Sequence, residues 1–135
     1  MSPWPKNSIV KILAFLWILP YGIIGTLAAL LFWALRQARP RIKDGAIDLS
    51  VNGWLGKKFS AADWGAFTLS WTILYWGDDQ AADPGVRKHE RQHVHQALRY
   101  GILYPIVYLI YGMQHGYKNN PFELEAYAKQ DKDGW

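Results

Sequence analysis

Residues 83–96, DPGVRKHERQHVHQ, carry the most informative pattern in the chain. Asp83-Pro84 is a helix start. An Asp side chain can accept from the first free N–H groups, and proline suits the first helical position, where no N–H is needed. The helix is expected to run from Pro84 to about Tyr100, where Gly101 interrupts it. Within it, His89-Glu90-Arg91-Gln92-His93 is H-E-x-x-H. His89 and His93 stand at i and i+4 and leave one helix face, so both imidazoles can bind one Zn2+. Glu90 adjoins the first imidazole and is placed to serve as general base on a zinc-bound water, without being a ligand itself. His95 falls on another face and is not expected to ligate. Gln96, three residues after His93, shares the metal face and is a candidate to orient a ligand or substrate.

Upstream of this helix the chain reads as a small sheet. Ile47, Leu49 and Val51 alternate with Asp48 and Ser50, a half-buried strand pattern. Asn52-Gly53 is a type I′ turn signal, and with Trp54 and Leu55 it predicts a short hairpin. Phe67 to Trp76 (FTLSWTILYW) is rich in aromatic and β-branched residues and predicts one further strand. Residues 77–83 read as a polar loop. Downstream, Ile102 to Tyr111 is apolar but at most about 15 Å long as a helix, which suits a core or interfacial helix. Asn120-Pro121 starts a last helix by the same cap-and-proline logic, ending before Asp133-Gly134.

The N-terminus is different in kind. From Ile12 to Leu35 there are 24 consecutive residues without a charge, bounded by Lys11 and Arg36. As a helix they span about 36 Å, against about 30 Å of bilayer hydrocarbon. The run is too long for the apolar core of a signal peptide, and no clear cleavage site follows, so an uncleaved anchor is expected. Pro40 would break any helix continuing out of the bilayer. Cations are slightly more numerous after the run (Arg36, Arg39, Arg41, Lys43) than before it (Lys6, Lys11). That asymmetry favours a single-pass protein with its domain in the cytoplasm. The expected organisation is α+β: residues 1–41 as a transmembrane anchor with its flanks, and residues 42–135 as a small domain of hairpin or short sheet, H-E-x-x-H helix and C-terminal helix.

Composition removes several other classes. The 135 residues contain no cysteine, which excludes a disulfide scaffold, a zinc ribbon and a cysteine nucleophile. The formal charge of +4 comes from scattered lysines and arginines without a recognition motif, so no nucleic-acid partner is expected. The serines lie in no nucleophile-elbow context, and no glycine-rich phosphate loop is present.

A zinc site with an open position needs a third protein ligand. The chain has three glutamates: Glu90, and Glu123 and Glu125 in NPFELEAY. Glu123 and Glu125 are both candidates, with Asp78, Asp79 and Asp83 more remote. Glu123 also stands three residues after Asn120, the capping-box position, so two roles compete for one carboxylate. HERQHVHQ followed by NPFELEA resembles the small membrane-associated metallopeptidases of gluzincin type, over about Phe67 to Tyr127. The resemblance implies a zincin-like domain in which His89, His93 and Glu123 hold Zn2+ and Glu90 is catalytic. The chain departs from the family pattern at Tyr127, where relatives carry an Asp that supports a ligating His, and at Gln92, where a small residue is usual. His115, Tyr117 and Tyr127 are candidates to stabilise an oxyanion. The expectation is a membrane-anchored zinc hydrolase acting on a peptide or protein substrate, with the lipid bilayer as its other partner. The alternative is a non-catalytic metal-binding or membrane scaffold protein.

Overall fold

The computed structural model describes residues 2–61 and 65–130. Helix α1 (Ser8–Ala34) opens the chain, capped by Asn7, whose side-chain oxygen accepts from the N–H groups of Ile9 and Val10. Four strands follow: β1 (Ala38–Lys43), β2 (Ala46–Val51), β3 (Ala66–Leu69) and β4 (Thr72–Tyr75), with helix α2 (Trp54–Ala61) between β2 and β3. They form one sheet in the order β1-β2-β4-β3. Its two hairpins are antiparallel, and β2 pairs with β4 in parallel. Helices α3 (Asp78–Ala82), α4 (Pro84–Tyr100), α5 (Leu103–His115) and α6 (Pro121–Gln130) complete the α+β fold.

The expected helix starts are found. Asp83 accepts from the N–H groups of Gly85 and Val86, and Pro84 is the first residue of α4. Asn120 accepts from the N–H of Phe122 at the head of α6. The expected end of that helix, before Asp133, lies outside the described residues.

The sheet differs from expectation in three places. The first hairpin turns at Asp44-Gly45, both with positive φ (49° and 78°), and joins β1 to β2. Asn52-Gly53 instead leads into α2. Strand β1, ARPRIK, escapes a pattern search because it is an edge strand with five of its six residues exposed. The anticipated division after residue 41 falls inside this strand. Secondly, Phe67–Trp76 is two strands. Ser70 takes a left-handed conformation (φ 60°) and reverses the chain without glycine or proline, so the apolar run hides the turn. Thirdly, the polar stretch after Gly77 forms the short helix α3.

Alternation along the strands divides the core in two. Ala46, Ile73 and Tyr75 pack with Val94, Ala97 and Leu98 of α4 and with Ile18 and Tyr21 of α1. Leu49, Val51 and Leu74 pack on the other face with Ala29 and Trp76. Helix α1 therefore serves both cores, passing the Ser70-Trp71 turn on the way. A Cβ at Gly25 would overlap the Leu69 carbonyl oxygen, so glycine is what lets helix and turn meet. Trp71 stacks on Phe15 and donates its indole N–H to Thr26 at 2.9 Å.

Helix α4 is fixed to the sheet by a buried cation. Arg91 donates to the Tyr75 hydroxyl (3.2 Å), the Lys43 carbonyl (3.1 Å) and Asp48 (3.0 Å). Burial raises the Asp48 carboxyl, opposed by Arg91. Arg91→Leu should leave the half-buried Asp48 with only the more distant Arg87, at 3.9 Å, and cost about 1.5–3 kcal/mol. Thermal unfolding should show a clear loss for the single variant and substantial recovery in Arg91→Leu/Asp48→Leu. Equal stability of wild type and Arg91→Leu would show that the pair does not hold α4.

Candidate metal centre

On the face of α4 remote from Arg91, His89 and His93 meet Glu123, which stands in the first turn of α6. The two Nε2 atoms are 3.2 Å apart. His89 Nε2 lies 3.1 Å from Glu123 Oε2, and His93 Nε2 lies 3.4 Å from Oε1. All three residues are buried, and their ligand-type atoms lie within 4.8 Å of one another. Ligand atoms about 2.0–2.1 Å from a tetrahedral ion stand about 3.3 Å apart. The three contacts match that spacing, so the group can hold a metal ion.

The hydrogen bonds around His93 settle its orientation. Gln96 Nε2 donates to the Phe122 carbonyl (3.0 Å) and to Glu125 Oε2 (2.8 Å). Gln96 Oε1 must then face the imidazole, and His93 Nδ1, at 2.9 Å, donates to it. On this assignment from the hydrogen-bond network Nδ1 carries a proton, and Nε2 is the atom turned to His89 and Glu123. The Tyr104 hydroxyl donates to the same Gln96 oxygen at 3.3 Å. Gln96 thus does for His93 what a carboxylate does for many ligating histidines. His89 is steadied differently. Tyr127 packs against its ring edge-on at a centroid distance of 4.5 Å, while its buried Nδ1 has no hydrogen-bond partner among the described residues.

The competition for Glu123 is also resolved. The Asn120 N–H donates to the Tyr117 carbonyl, so no capping box forms. The Glu123 carboxylate instead faces the histidines, and the Tyr108 hydroxyl donates to its Oε1 at 2.6 Å. Burial raises the Glu123 carboxyl. The hydrogen bonds from His89, His93 and Tyr108 outweigh that and hold it well below the usual range, ionised at neutral pH. Burial lowers His93, but Glu123 and Glu90 more than compensate and raise it. Glu125 is outside the group: it accepts from Gln96 and pairs at 3.8 Å with Arg99.

Glu90 is buried beside the cluster, not in it. The Thr68 hydroxyl, from β3, donates to Glu90 Oε2 at 2.6 Å. No hydrogen bond to Oε1 is made among the described residues. Tyr117 and Tyr127 are both exposed. Burial, with Glu123 second, pushes the Tyr117 hydroxyl up, so it keeps its proton. His115 lies exposed at the end of α5 against Tyr111. Asp83 is the α4 cap, and Asp78 accepts from Ser50 and Asn52. Sequence reasoning missed Tyr104, Tyr108 and Thr68. The first two recur at i and i+4 on one helix face, a pattern indistinguishable from ordinary core packing.

Comparison with protein-family models, with curated proteins and with solved structures finds no match.

His89→Ala and His93→Ala should abolish metal retention in purified protein, measured by elemental analysis. Glu123→Ala should weaken it far more than Glu125→Ala. Gln96→Leu should lower affinity by about 10–100-fold, because His93 loses the acceptor that fixes its proton. Unchanged metal content in both histidine variants would refute the centre.

Proposed function

We propose that the protein is a membrane-bound zinc hydrolase that cleaves peptide bonds. The observation that carries this reading is the convergence of His89, His93 and Glu123 with Glu90 held alongside. Two imidazoles and one carboxylate suit zinc, and three protein ligands leave a position open, as catalytic sites do. Bound there, the ion would acidify a water and polarise the substrate carbonyl. The protein's own groups supply the rest. Glu90 Oε1 takes the proton of the attacking water and returns it to the leaving amine, while Thr68 holds Oε2 so that the carboxylate cannot rotate away. Tyr117, which keeps its proton, and Tyr127 donate to the oxyanion as it develops.

A peptide substrate is favoured by the sheet. Strand β3 is at its edge, and it carries the Thr68 that holds Glu90. An extended peptide pairing along that edge would lie beside the base.

Membrane attachment rests on α1, which is long and apolar enough to span a bilayer. An anchor helix standing free of the domain does not suit its packing. Residues from Ala14 to Phe32 of α1 join the two cores. The Trp4 indole, before the helix, donates to Gly45 in the first hairpin turn, and α1 also packs along β1. An upright crossing would draw Arg39, Arg41 and Lys43 into hydrocarbon, at about 2.5–3.5 kcal/mol or more for each. We therefore place the outward side of α1 in one leaflet. It presents Ile12, Leu16, Ile23, Leu27 and Leu31, each about half exposed or more.

Glu90→Gln should keep metal content and folding while hydrolysis of an unfolded-protein or peptide-library substrate falls by about 10²-fold or more. Activity surviving that change, or metal-loaded wild type without hydrolysis, would end the peptidase reading. Topology is tested separately, since the natural chain has no cysteine. Lys6→Cys and Arg36→Cys should both react with an impermeant maleimide from the same side of sealed vesicles. Labelling from opposite sides would restore the crossing.

A further inference from the structure

Trp33 stands where two unlike surfaces meet. One is the outward side of α1, ending in Leu27, Leu30 and Leu31. The other is a cleft of about 1170 Å3 between β1, the last turn of α1, and the chain from α3 to Arg87. Alternation along β1 sends Arg39, Arg41 and Lys43 to one face of the strand, and all three line this cleft with Arg36 and Arg87. Two acids line it as well, and both are engaged. Asp48 is bonded by Arg91, with Arg87 at 3.9 Å, and Asp78 accepts from Ser50 and Asn52. Arg36 and Arg39 make no side-chain hydrogen bond or ion pair among the described residues. Arg87 also pairs with Asp44 at 3.7 Å, but five cations against two committed acids leave the cleft positive, with the Arg36 and Arg39 guanidinium groups available.

We propose that this cleft binds the phosphate of an anionic glycerophospholipid whose acyl chains lie along the outward side of α1. The proposal rests on the membrane reading of α1. A phospholipid joins an acyl body to a phosphate through an interfacial glycerol, and here an apolar helix side joins an arginine cleft at a tryptophan. Tryptophan favours that interfacial depth. Guanidinium groups match phosphate oxygens in forked pairs. The cleft is larger than one phosphate needs and accommodates a whole headgroup. Its excess positive charge opposes the cation of a choline headgroup and selects for a net anionic one.

The test is flotation of purified full-length protein with vesicles of phosphatidylcholine alone or of phosphatidylcholine with phosphatidylglycerol. Wild type should prefer the anionic vesicles, and Arg36→Gln/Arg39→Gln/Arg41→Gln should lower partition into them by about 10²-fold, with partition into phosphatidylcholine little changed. Lys57→Gln/Lys58→Gln, which removes two cations from α2 outside the cleft, should keep the preference. Flotation with both vesicles without preference overturns the lipid site and leaves the membrane reading standing. Flotation with neither overturns both. A triple variant that keeps the preference, or a lysine control that loses it equally, shows a diffuse surface charge and overturns the site. Loss of the preference on adding millimolar inorganic phosphate or glycerol phosphate identifies a free anion as the ligand and overturns the lipid assignment.

Discussion

A helix as polar as HERQHVHQ can be buried only if nearly every side chain in it finds a partner, because a polar group without one costs about 1–3 kcal/mol in a protein interior. In α4, residues His89 to His93 and Gln96 are all buried. Each neighbouring element supplies a share of what they need. The sheet supplies Asp48 and the Tyr75 hydroxyl to Arg91. Strand β3 supplies Thr68 to Glu90, α5 supplies Tyr104 to Gln96, and α6 supplies Glu123 to the histidines. The two faces of the H-E-x-x-H segment therefore have different partners. Arg91 holds the helix down on the sheet, and the histidines turn to Glu123.

That division explains which parts of the molecule were legible in the sequence. The helix starts at Asp83-Pro84 and Asn120-Pro121 were readable because capping and proline geometry are local. The histidine pair was readable because its spacing is imposed by the helix. Glu123 could be ranked above Glu125 only by resemblance, since the two carboxylates stand two residues apart on one short helix. Geometry separates them: Glu123 turns to His89, and Glu125 turns to Gln96 and Arg99. Strand β1 was illegible for a physical reason. A strand gives a period-2 signal when one face is buried, and in β1 only Ala38 is buried. Its register is set by the Asp44-Gly45 turn and by pairing with β2. Gly45 was overlooked because Asn52-Gly53 offered an equally good local signal without the tertiary partner.

Gln96 holds His93 and is itself held by Phe122, Glu125 and Tyr104. A neutral amide is a weaker acceptor than a carboxylate and leaves the imidazole less electron-rich. The negative charge is displaced one step outward, to Glu125, which is partly exposed and paired with Arg99. His89 has no such support at Nδ1 among the described residues, and its ring is set by Tyr127 packing and by its contacts with Glu123 and His93. The two imidazoles are thus unequal, and His93 is the better oriented.

The apolar helix and the basic strand impose opposite demands, and the fold meets both by separating them across the sheet. Ala38 of β1 belongs with Leu49, Val51 and Ala29 in the second core, on the side where the C-terminal half of α1 packs. Alternation then turns Arg39 and Arg41 to the opposite side, into the cleft. Were β1 displaced by one residue, its arginines would face α1 and Ala38 would leave the core. The Asp44-Gly45 turn therefore sets more than a hairpin register. It keeps cations out of an apolar contact and gathers them near Trp33, where the chain leaves the helix.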